Sequence, residues 1–244
     1  MAVETLNLWK AGLTDVPDEV WQRTGLRVLI LADNALTRVP AAIGRLRRLH
    51  TLDLGHNHLA EVPEEIGDLA GGLTRYLYLH DNRLARLPRS LGRLDRLAYL
   101  NVGENPLGRL PSELGSMTGL VELRAQHSEL AGLPESAGRL GSLRELWLRG
   151  NRITRLPAAW AGLRRLRHLE LRENALTAVD EPLRALPLLR HLDLRANRLR
   201  TLPDWIAELP ALEKLDLRWN PLDDHTDGSR AVQALRDKGC VVLT

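Results

Sequence analysis

The chain has 244 residues and carries 34 Lys and Arg against 31 Asp and Glu, a formal net charge of +3. This near balance argues against a protein dedicated to nucleic acid or membrane surfaces, where clustered excess charge is expected. Cys240 is the only cysteine, which excludes an intrachain disulfide and a cysteine-rich zinc site. The first residues do not resemble a signal peptide, and no stretch approaches the roughly 20 apolar residues of a membrane span. We therefore expect a cytoplasmic protein.

Leucine recurs at a fixed spacing along almost the whole chain. In the unit from Leu189 to Pro203, leucines occupy positions 1, 4 and 6, and Asn197 occupies position 9. The equivalent residues Asn174 and Asn220 lie 23 residues away on either side, since 197 − 174 and 220 − 197 both give 23. A constant period of this length predicts a solenoid, in which stacked units bury leucines that one unit cannot bury alone.

Ten such units can be followed from the N-terminus. In the first, Ala11 replaces the asparagine, and the frame is carried by Val3, Leu6, Leu8 and Leu13. The fourth unit is preceded by two extra residues around 70–72, which we expect on an outer connection, where changes in length are tolerated. The position 9 residues of the other units are Asn34, Asn57, Asn82, Asn105, Ser128, Asn151, Asn174, Asn197 and Asn220.

Each unit divides into two halves. The LxxLxL half alternates apolar and variable residues, which predicts a short strand with one buried face, and the repetition of this strand predicts a parallel sheet. The asparagine suits a tight turn, where its side chain can satisfy backbone groups and form a ladder through the stack. The PxxIGxLxxL half has apolar residues three apart, which predicts short helical turns on the outside.

The repeated pattern LxxLxLxxNxLxxLPxxIGxLxxL over about residues 3–222 resembles the leucine-rich repeat family. Its LPxxIG half is similar to the intracellular class found in bacterial stand-alone proteins and in Ras-pathway and scaffold proteins. The resemblance implies an α/β solenoid: a horseshoe with a concave parallel sheet of about ten strands and short helical or 3-10 segments outside. It also implies a signalling or scaffold module that binds a protein partner through the concave sheet. Ala11, Ser128 and Val179-Asp180 depart from the pattern and are expected to alter only local turns.

The repeats are expected to cover residues 1–222, and residues 223–244 are predicted to cap the last one. Asp227 to Arg230 can begin a helix that ends at Gly239, and residues 240–243 read as a short strand. Cys240 is interpreted as a small buried hydrophobe. The N-terminal edge has no comparable cap, although Trp9 and Trp21 are favoured to shield it. A monomer is expected, with a dimer through this edge as the alternative.

Positions 3, 5, 7 and 8 of each unit are predicted to project from the concave face. All three tyrosines of the chain fall there, and large aromatic side chains on a solvated sheet have no role in a leucine core. Tyr, Trp and Arg are typical anchors of protein interfaces. The alternative is that the rings only cover one another. The candidate partner-binding residues are Tyr76, Tyr78, His80, Tyr99, Arg124, His127, Trp147, Arg149, Arg172, Arg195, Arg218 and Trp219.

The four arginines from Arg149 to Arg218 form one column beside an acidic column of Glu170, Asp193 and Asp216. These columns are favoured to neutralise each other, and the alternative is a striped surface that orients a partner.

Two further alternatives involve charged and histidine side chains. A metal could be held by His168, Glu170, His191 and Asp193, although neighbouring arginines compete for the carboxylates. Nucleic acid could follow a row of arginines on one flank, which Glu61 interrupts: Arg38, Arg86, Arg109 and Arg155.

Motifs for catalysis are missing from the sequence. No GxG occurs, no Lys precedes Ser or Thr, and no serine lies in a nucleophile elbow. An open curved sheet also offers no deep, dry pocket. We therefore predict a protein that is not an enzyme and needs no cofactor.

Overall fold

Stacking of the leucine-bearing units produces one continuous parallel sheet. The structure, a computed structural model, describes residues 4–226 and 229–244. In these residues the sheet has 11 strands in chain order, one more than the ten repeats. The strands are β1 Thr5–Asn7, β2 Val28–Ile30, β3 Thr51–Asp53, β4 Tyr76–Tyr78, β5 Tyr99–Asn101, β6 Glu122–Arg124, β7 Glu145–Trp147, β8 His168–Glu170, β9 His191–Asp193, β10 Lys214–Asp216 and β11 Val241–Leu243.

The outer half of each unit forms a short 3-10 helix. Eight of these helices in the described residues begin after a proline, whose fixed φ suits the entry to a helical turn. The 3-10 helices are Asp18–Gln22, Ala41–Arg45, Glu64–Leu69, Arg89–Arg93, Ser112–Ser116, Glu135–Arg139, Ala158–Gly162, Glu181–Ala185 and Asp204–Glu208; the α-helix, α1, is Arg230–Asp237. The predicted solenoid, with its parallel sheet and short helical segments, is confirmed.

The register of the sheet follows the repeat. The central leucines of neighbouring strands are paired, as in Leu77 with Leu100 and Leu146 with Leu169, and all four are fully buried. The flanking residues pair in the same way, so that Tyr76 lies opposite Tyr99. Because alternate residues of a strand point to opposite faces, the columns at positions 3 and 5 share the surface opposite the leucine core.

The asparagines at position 9 bind both their own unit and the preceding one. The Nδ2 amide of Asn57 donates to the carbonyls of Leu54 (3.1 Å) and Leu31 (3.0 Å), and its Oδ1 accepts from the N–H of Leu36 (3.0 Å). The predicted ladder is thus confirmed. The same three contacts recur at Asn34, Asn82, Asn105, Asn151, Asn174, Asn197 and Asn220.

Ser128 interrupts the asparagine ladder, and the backbone changes there. Its shorter side chain does not accept from Leu107, whose N–H donates instead to the carbonyl of Asn105 (2.8 Å). The next N–H, that of Gly108, donates to the carbonyl of Ser128 (3.0 Å). Gly108 and Glu129 adopt positive φ values of 63° and 57°. The effect of this substitution is therefore local, as predicted from the sequence.

Asp180 takes the place of the proline before the eighth 3-10 helix. It has the same extended conformation as the prolines, with φ −73° and ψ 141°. Its Oδ2 atom also accepts a hydrogen bond from the N–H of Leu156 (2.7 Å) in the preceding unit. The substitution thus keeps the turn and adds a contact between units.

The two extra residues near position 70 lie between the 3-10 helix Glu64–Leu69 and β4. The N–H groups of Gly72 and Leu73 both donate to the carbonyl of Leu69, at 2.9 and 2.8 Å. A side chain on Gly72 would meet the backbone of Arg47 and Leu49 in the preceding unit. The insertion is therefore on an outer connection, as expected, and it packs against its neighbour.

The two ends of the sheet differ. β11 pairs with β10, and α1 lies beside the last 3-10 helix, while Ser229 accepts a hydrogen bond from Val232 at the start of α1. Asp227 and Gly228 lie outside the described residues, as does Val3. Cys240 is 5% exposed, in agreement with its interpretation as a buried hydrophobe.

At the N-terminal edge, Trp21 is buried in the core. Trp9 is 55% exposed and donates from its indole N–H to Asp33 Oδ2 (2.5 Å) in the next unit, so it leans away from the edge it was expected to shield. Ala11 lies in the first unit, where no earlier described unit presents a backbone for an amide to bind. The monomeric state and the domain limits stay predictions.

Position 8 of every unit adopts the left-handed conformation. Its φ values lie between 49° and 67°, although glycine occupies the position in one unit alone, at Gly150. The left-handed region costs roughly 1–2 kcal/mol for a residue with a side chain. The residues are Lys10, Asp33, His56, Asp81, Glu104, His127, Gly150, Glu173, Ala196 and Trp219.

We predict that Asn151→Ala lowers the free energy of unfolding by about 3 kcal/mol. The Asn151 side chain pairs with backbone groups of Ser128, Leu130, Ala125, Leu148 and Arg149. Among the described residues, its loss removes the hydrogen-bond partner of the Ser128 and Leu130 N–H groups and of the Ala125 carbonyl, whereas the Leu148 carbonyl still accepts from Asn174. Urea denaturation followed by circular dichroism measures the change. Ser128→Ala is the control and should cost about 1 kcal/mol, because Ser128 donates one good hydrogen bond. Equal losses in the two variants would contradict the role of the ladder.

We predict that Ala196→Gly raises the free energy of unfolding by about 0.5–1 kcal/mol, because glycine adopts a φ of 49° without strain. Ala234→Gly, within α1, is the matched control and should lower it by about 1 kcal/mol. Denaturation midpoints of the two variants check the signs. A loss of stability in both would show that position 8 is not strained.

Candidate functional site

Five side chains form a contiguous aromatic patch on the concave sheet. The rings of Tyr76, Tyr78 and Tyr99 lie with centroids 5.0–6.1 Å apart across β4 and β5. The Arg124 guanidinium lies 5.9 Å from the Tyr99 ring and 5.0 Å from that of Trp147, which connects β5 to β7. The predicted anchors therefore lie together, on one side of the sheet. We call these five residues the aromatic patch.

The aromatic patch is partly exposed and has hydrogen-bonding capacity left over. Tyr76 is 44% exposed, and Tyr78, Tyr99 and Trp147 are half-buried. Within the part of the chain that the structure describes, the hydroxyls of Tyr76 and Tyr78 have no hydrogen-bond partner. Burial raises the pKa of Tyr99 to about 12, so this hydroxyl stays protonated. The patch thus presents apolar ring area together with free hydroxyl groups, as interface tyrosines do.

The polar edges of Arg124 and Trp147 are held by acidic residues of their own strands. Arg124 Nε donates to Glu122 Oε1 at 2.6 Å. The indole N–H of Trp147 donates to Glu145 Oε2 at 3.3 Å. These contacts orient the two side chains in the absence of any partner, which lowers the entropy that binding would cost.

Histidines extend the aromatic patch on both sides. His168 stacks on Trp147 with ring centroids 4.3 Å apart, and His191 lies 5.6 Å beyond it. On the other side, His80 lies 6.0 Å from Tyr78 and 4.7 Å from His56. Sequence reasoning used His168 and His191 only as metal candidates and missed His56. These contacts could have been expected from the sequence, because the parallel register places equivalent positions of neighbouring units side by side.

His127 does not join the aromatic patch. It is exposed at position 8, and its left-handed backbone turns the ring over Gly150 of the next unit. No ring contact links His127 to the patch among the described residues. Its assignment to the binding site therefore depends only on its predicted location on the concave face, since His127 makes no ring contact with the aromatic patch among the described residues.

Two arginines near the C-terminal end share two aspartates. Arg195 donates from Nε to Asp193 Oδ1 (2.9 Å) and from Nη2 to Asp193 Oδ2 (2.5 Å), and its Nε lies 3.4 Å from Asp216. Arg218 binds both oxygens of Asp216, at 2.9 and 2.7 Å. Burial alone would raise the pKa of Asp216, but the hydrogen bonds from Arg218 and the charge of Arg195 outweigh it and lower this pKa.

The same pairing continues toward the middle of the sheet. Arg149 makes two hydrogen bonds to Glu173, at 3.0 and 3.1 Å, and Arg172 lies 3.4 Å from the same carboxylate. The predicted pairing between the two columns is therefore present at Arg195 and Arg218, and Arg172 lies 4.0 Å from Glu170, whereas Arg149 pairs with Glu173 at position 8. Trp219 is 68% exposed, and the Arg218 guanidinium lies 5.8 Å from its ring.

The metal alternative receives no support from the structure. Among residues 4–226 and 229–244, no group of three or more His, Cys, Asp or Glu side chains is arranged to hold a metal ion. Asp193 is bound by Arg195, and burial together with the charge of Asp193 raises the pKa of Glu170. Glu170 is thus a poorer metal ligand, and competition from arginine for the carboxylates occurs as the sequence suggested.

The nucleic-acid alternative also lacks support on the flank where it was placed. Arg38 binds Asp15 at 3.0 Å. Arg86 and Arg109 lie in a depression that also contains Glu61 and Glu113. The row is therefore of mixed charge, which opposes a phosphate backbone. Within residues 4–226 and 229–244, no helix has the length and apolar character needed to cross a bilayer.

Comparison with known proteins agrees with the fold. The family model described as leucine rich repeat matches residues 2–59, 118–176 and 176–222. No curated protein matches the sequence. Among solved structures, a leucine-rich repeat protein of Leptospira interrogans is similar over 99% of this chain and 72% of its own, with 29% identity and a TM-score of 0.68.

Two plant receptor ectodomains are also similar in structure. The ectodomain of the Arabidopsis thaliana receptor kinase GASSHO1/SCHENGEN3, in complex with Casparian strip integrity factor 2, shows 31% identity and a TM-score of 0.77. That of the Arabidopsis receptor kinase HAESA, in complex with an IDA peptide hormone, shows 25% identity and a TM-score of 0.72. These alignments cover 90% and 89% of this chain but only 27% and 38% of the plant chains.

We predict that the protein loses stability as the pH falls below about 6.5, the ordinary histidine pKa. Burial and the charge of a neighbouring histidine lower the pKa of His80 and of His168. Below that pH the unfolded chain binds more protons than the folded chain. The contribution of the two histidines to stability is therefore complete above their pKa in the unfolded chain, and it is lost as the pH falls through their lower pKa in the folded chain. Urea denaturation at about pH 7.5 and about pH 5.5 measures the loss.

The double variant His80→Gln, His168→Gln should show a smaller difference between the two pH values. This comparison separates the effect of the histidines from that of Asp53 and Glu170, whose pKa is raised mainly by burial. The contribution of these two carboxyl groups to stability decreases as the pH rises, which is opposite to that of the histidines. An unchanged difference in the double variant would mean that other groups cause the pH dependence.

Proposed function

Because the chain belongs to the leucine-rich repeat family, we propose that it is a non-enzymatic module that binds a protein partner on its concave sheet. Leucine-rich repeats generally serve as protein interaction modules, and the similar solved structures are of this kind. The fold supplies a wide, regular surface in place of a closed pocket. This surface favours recognition of another macromolecule over catalysis.

The aromatic patch is the observation that carries the proposal. Its rings lie outside the leucine core, so the core does not require them. Tyr76 and Tyr78 keep free hydroxyls, and Arg124 and Trp147 are already oriented by acidic neighbours. Ring area, low rotamer freedom and unused hydrogen-bonding groups are the properties of residues that dominate protein interfaces.

The size of the aromatic patch favours an extended segment of the partner. It spans β4 to β7, and neighbouring strands are about 4.8 Å apart, so its width is about 15–20 Å. A strand of the sheet is only three residues long. The similar HAESA ectodomain is in complex with a peptide hormone, which is consistent with a peptide partner. We therefore propose an extended peptide segment as the ligand of the patch.

The arginine column is assigned a secondary role in this proposal. Arg149, Arg195 and Arg218 donate hydrogen bonds to carboxylates of the same protein, and Arg172 forms an ion pair with Glu173. A partner would have to displace these contacts to gain ion pairs of modest value. These arginines and the exposed Trp219 are thus placed at the rim of the interface, where charge orients an approaching partner.

We predict that Tyr78→Ala combined with Trp147→Ala weakens partner binding by about 100-fold or more, because each residue is a candidate anchor worth about 2 kcal/mol. Both side chains are half-buried on the sheet and lie outside the leucine core, so the melting temperature should change little. Affinity capture from cells of the source organism, with quantitative mass spectrometry, identifies proteins retained by the wild type and lost by the variant. Titration with a partner found in this way gives the affinity ratio.

Trp9→Ala is the matched control. Trp9 is an exposed tryptophan at the N-terminal end of the sheet, outside the aromatic patch, and its removal should leave binding within about 2-fold. Partners retained equally by the wild type and by the double variant would refute the proposed site.

A further inference from the structure

A basic depression lies at the edge of the sheet where strands β2 to β5 begin. It has a volume of about 630 Å³. Arg27, His50 and Arg75 immediately precede β2, β3 and β4, so the parallel register places them side by side. The charged and titratable residues that line it are Arg27, Arg47, Arg48, His50, Arg75 and Arg96.

The two-residue insertion shapes this basic depression. Gly71 and Gly72 form part of its lining, and Gly72 lies so close to the backbone of Arg47 and Leu49 that no side chain would fit. The inserted loop therefore packs against the segment that carries Arg47 and Arg48. This packing turns an open row of arginines into a concave site.

None of the five arginines is neutralised by the protein. Among the described residues, their guanidinium groups make no ion pair within 4.0 Å and no side-chain hydrogen bond. No Asp or Glu belongs to the lining of the depression. The arginines of the concave column, in contrast, each have a carboxylate partner. The depression thus concentrates positive charge that the fold does not balance.

His50 gives independent evidence of this field. Burial, and then the charges of Arg75 and Arg27, lower the pKa of its imidazole. Its Nδ1 atom lies 3.0 Å from the hydroxyl of Thr51, so Nε2 is left for a ligand. The charges of Arg75 and Arg27 therefore act on the His50 imidazole from either side of it.

The chemistry of the lining selects one class of ligand. Guanidinium groups bind phosphate through paired hydrogen bonds, and several together match a group with more than one phosphate. Among the described residues that line the depression, His50 carries the only aromatic ring and there is no leucine, so a nucleobase has one imidazole to stack on and an acyl chain has no apolar wall. We propose that the basic depression binds a compact polyphosphate group, carried by a soluble molecule or by a lipid headgroup.

Isothermal titration calorimetry with tripolyphosphate at about 0.15 M salt tests this proposal. The wild type should bind one equivalent, and Arg47→Gln combined with Arg48→Gln should weaken binding about 10-fold or more. The control is Arg164→Gln combined with Arg165→Gln. These residues hold the same two places ahead of β8, away from the insertion, and are equally exposed. This control should retain binding within about 2-fold.

Two further measurements locate the ligand. Arg75→Gln, immediately before β4, should weaken binding by a similar factor, and tripolyphosphate should shift the imidazole resonances of His50. Vesicles of phosphatidylcholine with a phosphoinositide separate the two sources of phosphate. Sedimentation with these vesicles that is lost in the Arg47, Arg48 variant assigns a lipid headgroup. Tripolyphosphate binding without sedimentation assigns a soluble compound.

Three results would overturn the proposal. Tripolyphosphate that fails to bind the wild type would remove the site. Equal losses of tripolyphosphate affinity in the test and control variants would show that binding depends on the general positive charge of the surface and not on the depression. Binding of a single-stranded oligonucleotide that depends equally on both arginine pairs would replace a compact phosphate by a nucleic-acid track along the strand edge.

Discussion

The structure depends on the contact between each unit and the next. A strand of three residues with one buried leucine cannot form a core, so the leucines of successive units must pack on one another. The asparagine ladder fixes this stacking, because each amide joins backbone groups of two units, as Asn57 does with Leu54 and Leu31. A shift of one residue would move the leucines to the solvent face. The neighbours of every concave side chain are therefore determined by the repeat.

That determinism explains which features could be predicted from the sequence. The strands and the parallel register follow from the spacing, the ladder follows from asparagine at position 9, and the local effect of Ser128 follows from its departure from the repeated pattern. The pairing of Tyr76 with Tyr99 follows for the same reason. Side-chain contacts such as the stacking of His168 on Trp147 depend on rotamers, which the repeat does not specify. The left-handed backbone at position 8 was also hidden, because glycine marks it only at Gly150.

Two groups of arginines differ in a way that composition does not reveal. On the concave face, burial and alternation with acidic residues make pairing favourable, as in Arg195 with Asp193. Before the strands, Arg27 and Arg75 have no acidic column beside them and remain unpaired among the described residues. Sequence reasoning followed the concave columns and missed this second group. Its signal was the run of basic residues ahead of β2 to β5, and its shape required knowing where the insertion packs.

The aromatic patch and the basic depression meet at β4 but use different sides of the chain. Arg75 lines the depression, whereas the next residue, Tyr76, belongs to the patch. Arg75 precedes β4 and lines the depression, whereas Tyr76 lies within β4 on the concave face, so a ligand at one site does not need to cover the other. Loss of Arg47 and Arg48 leaves the rings in place, and loss of Tyr78 leaves the guanidinium cluster intact. The two proposals can therefore fail separately, although the two sites are adjacent at the start of β4.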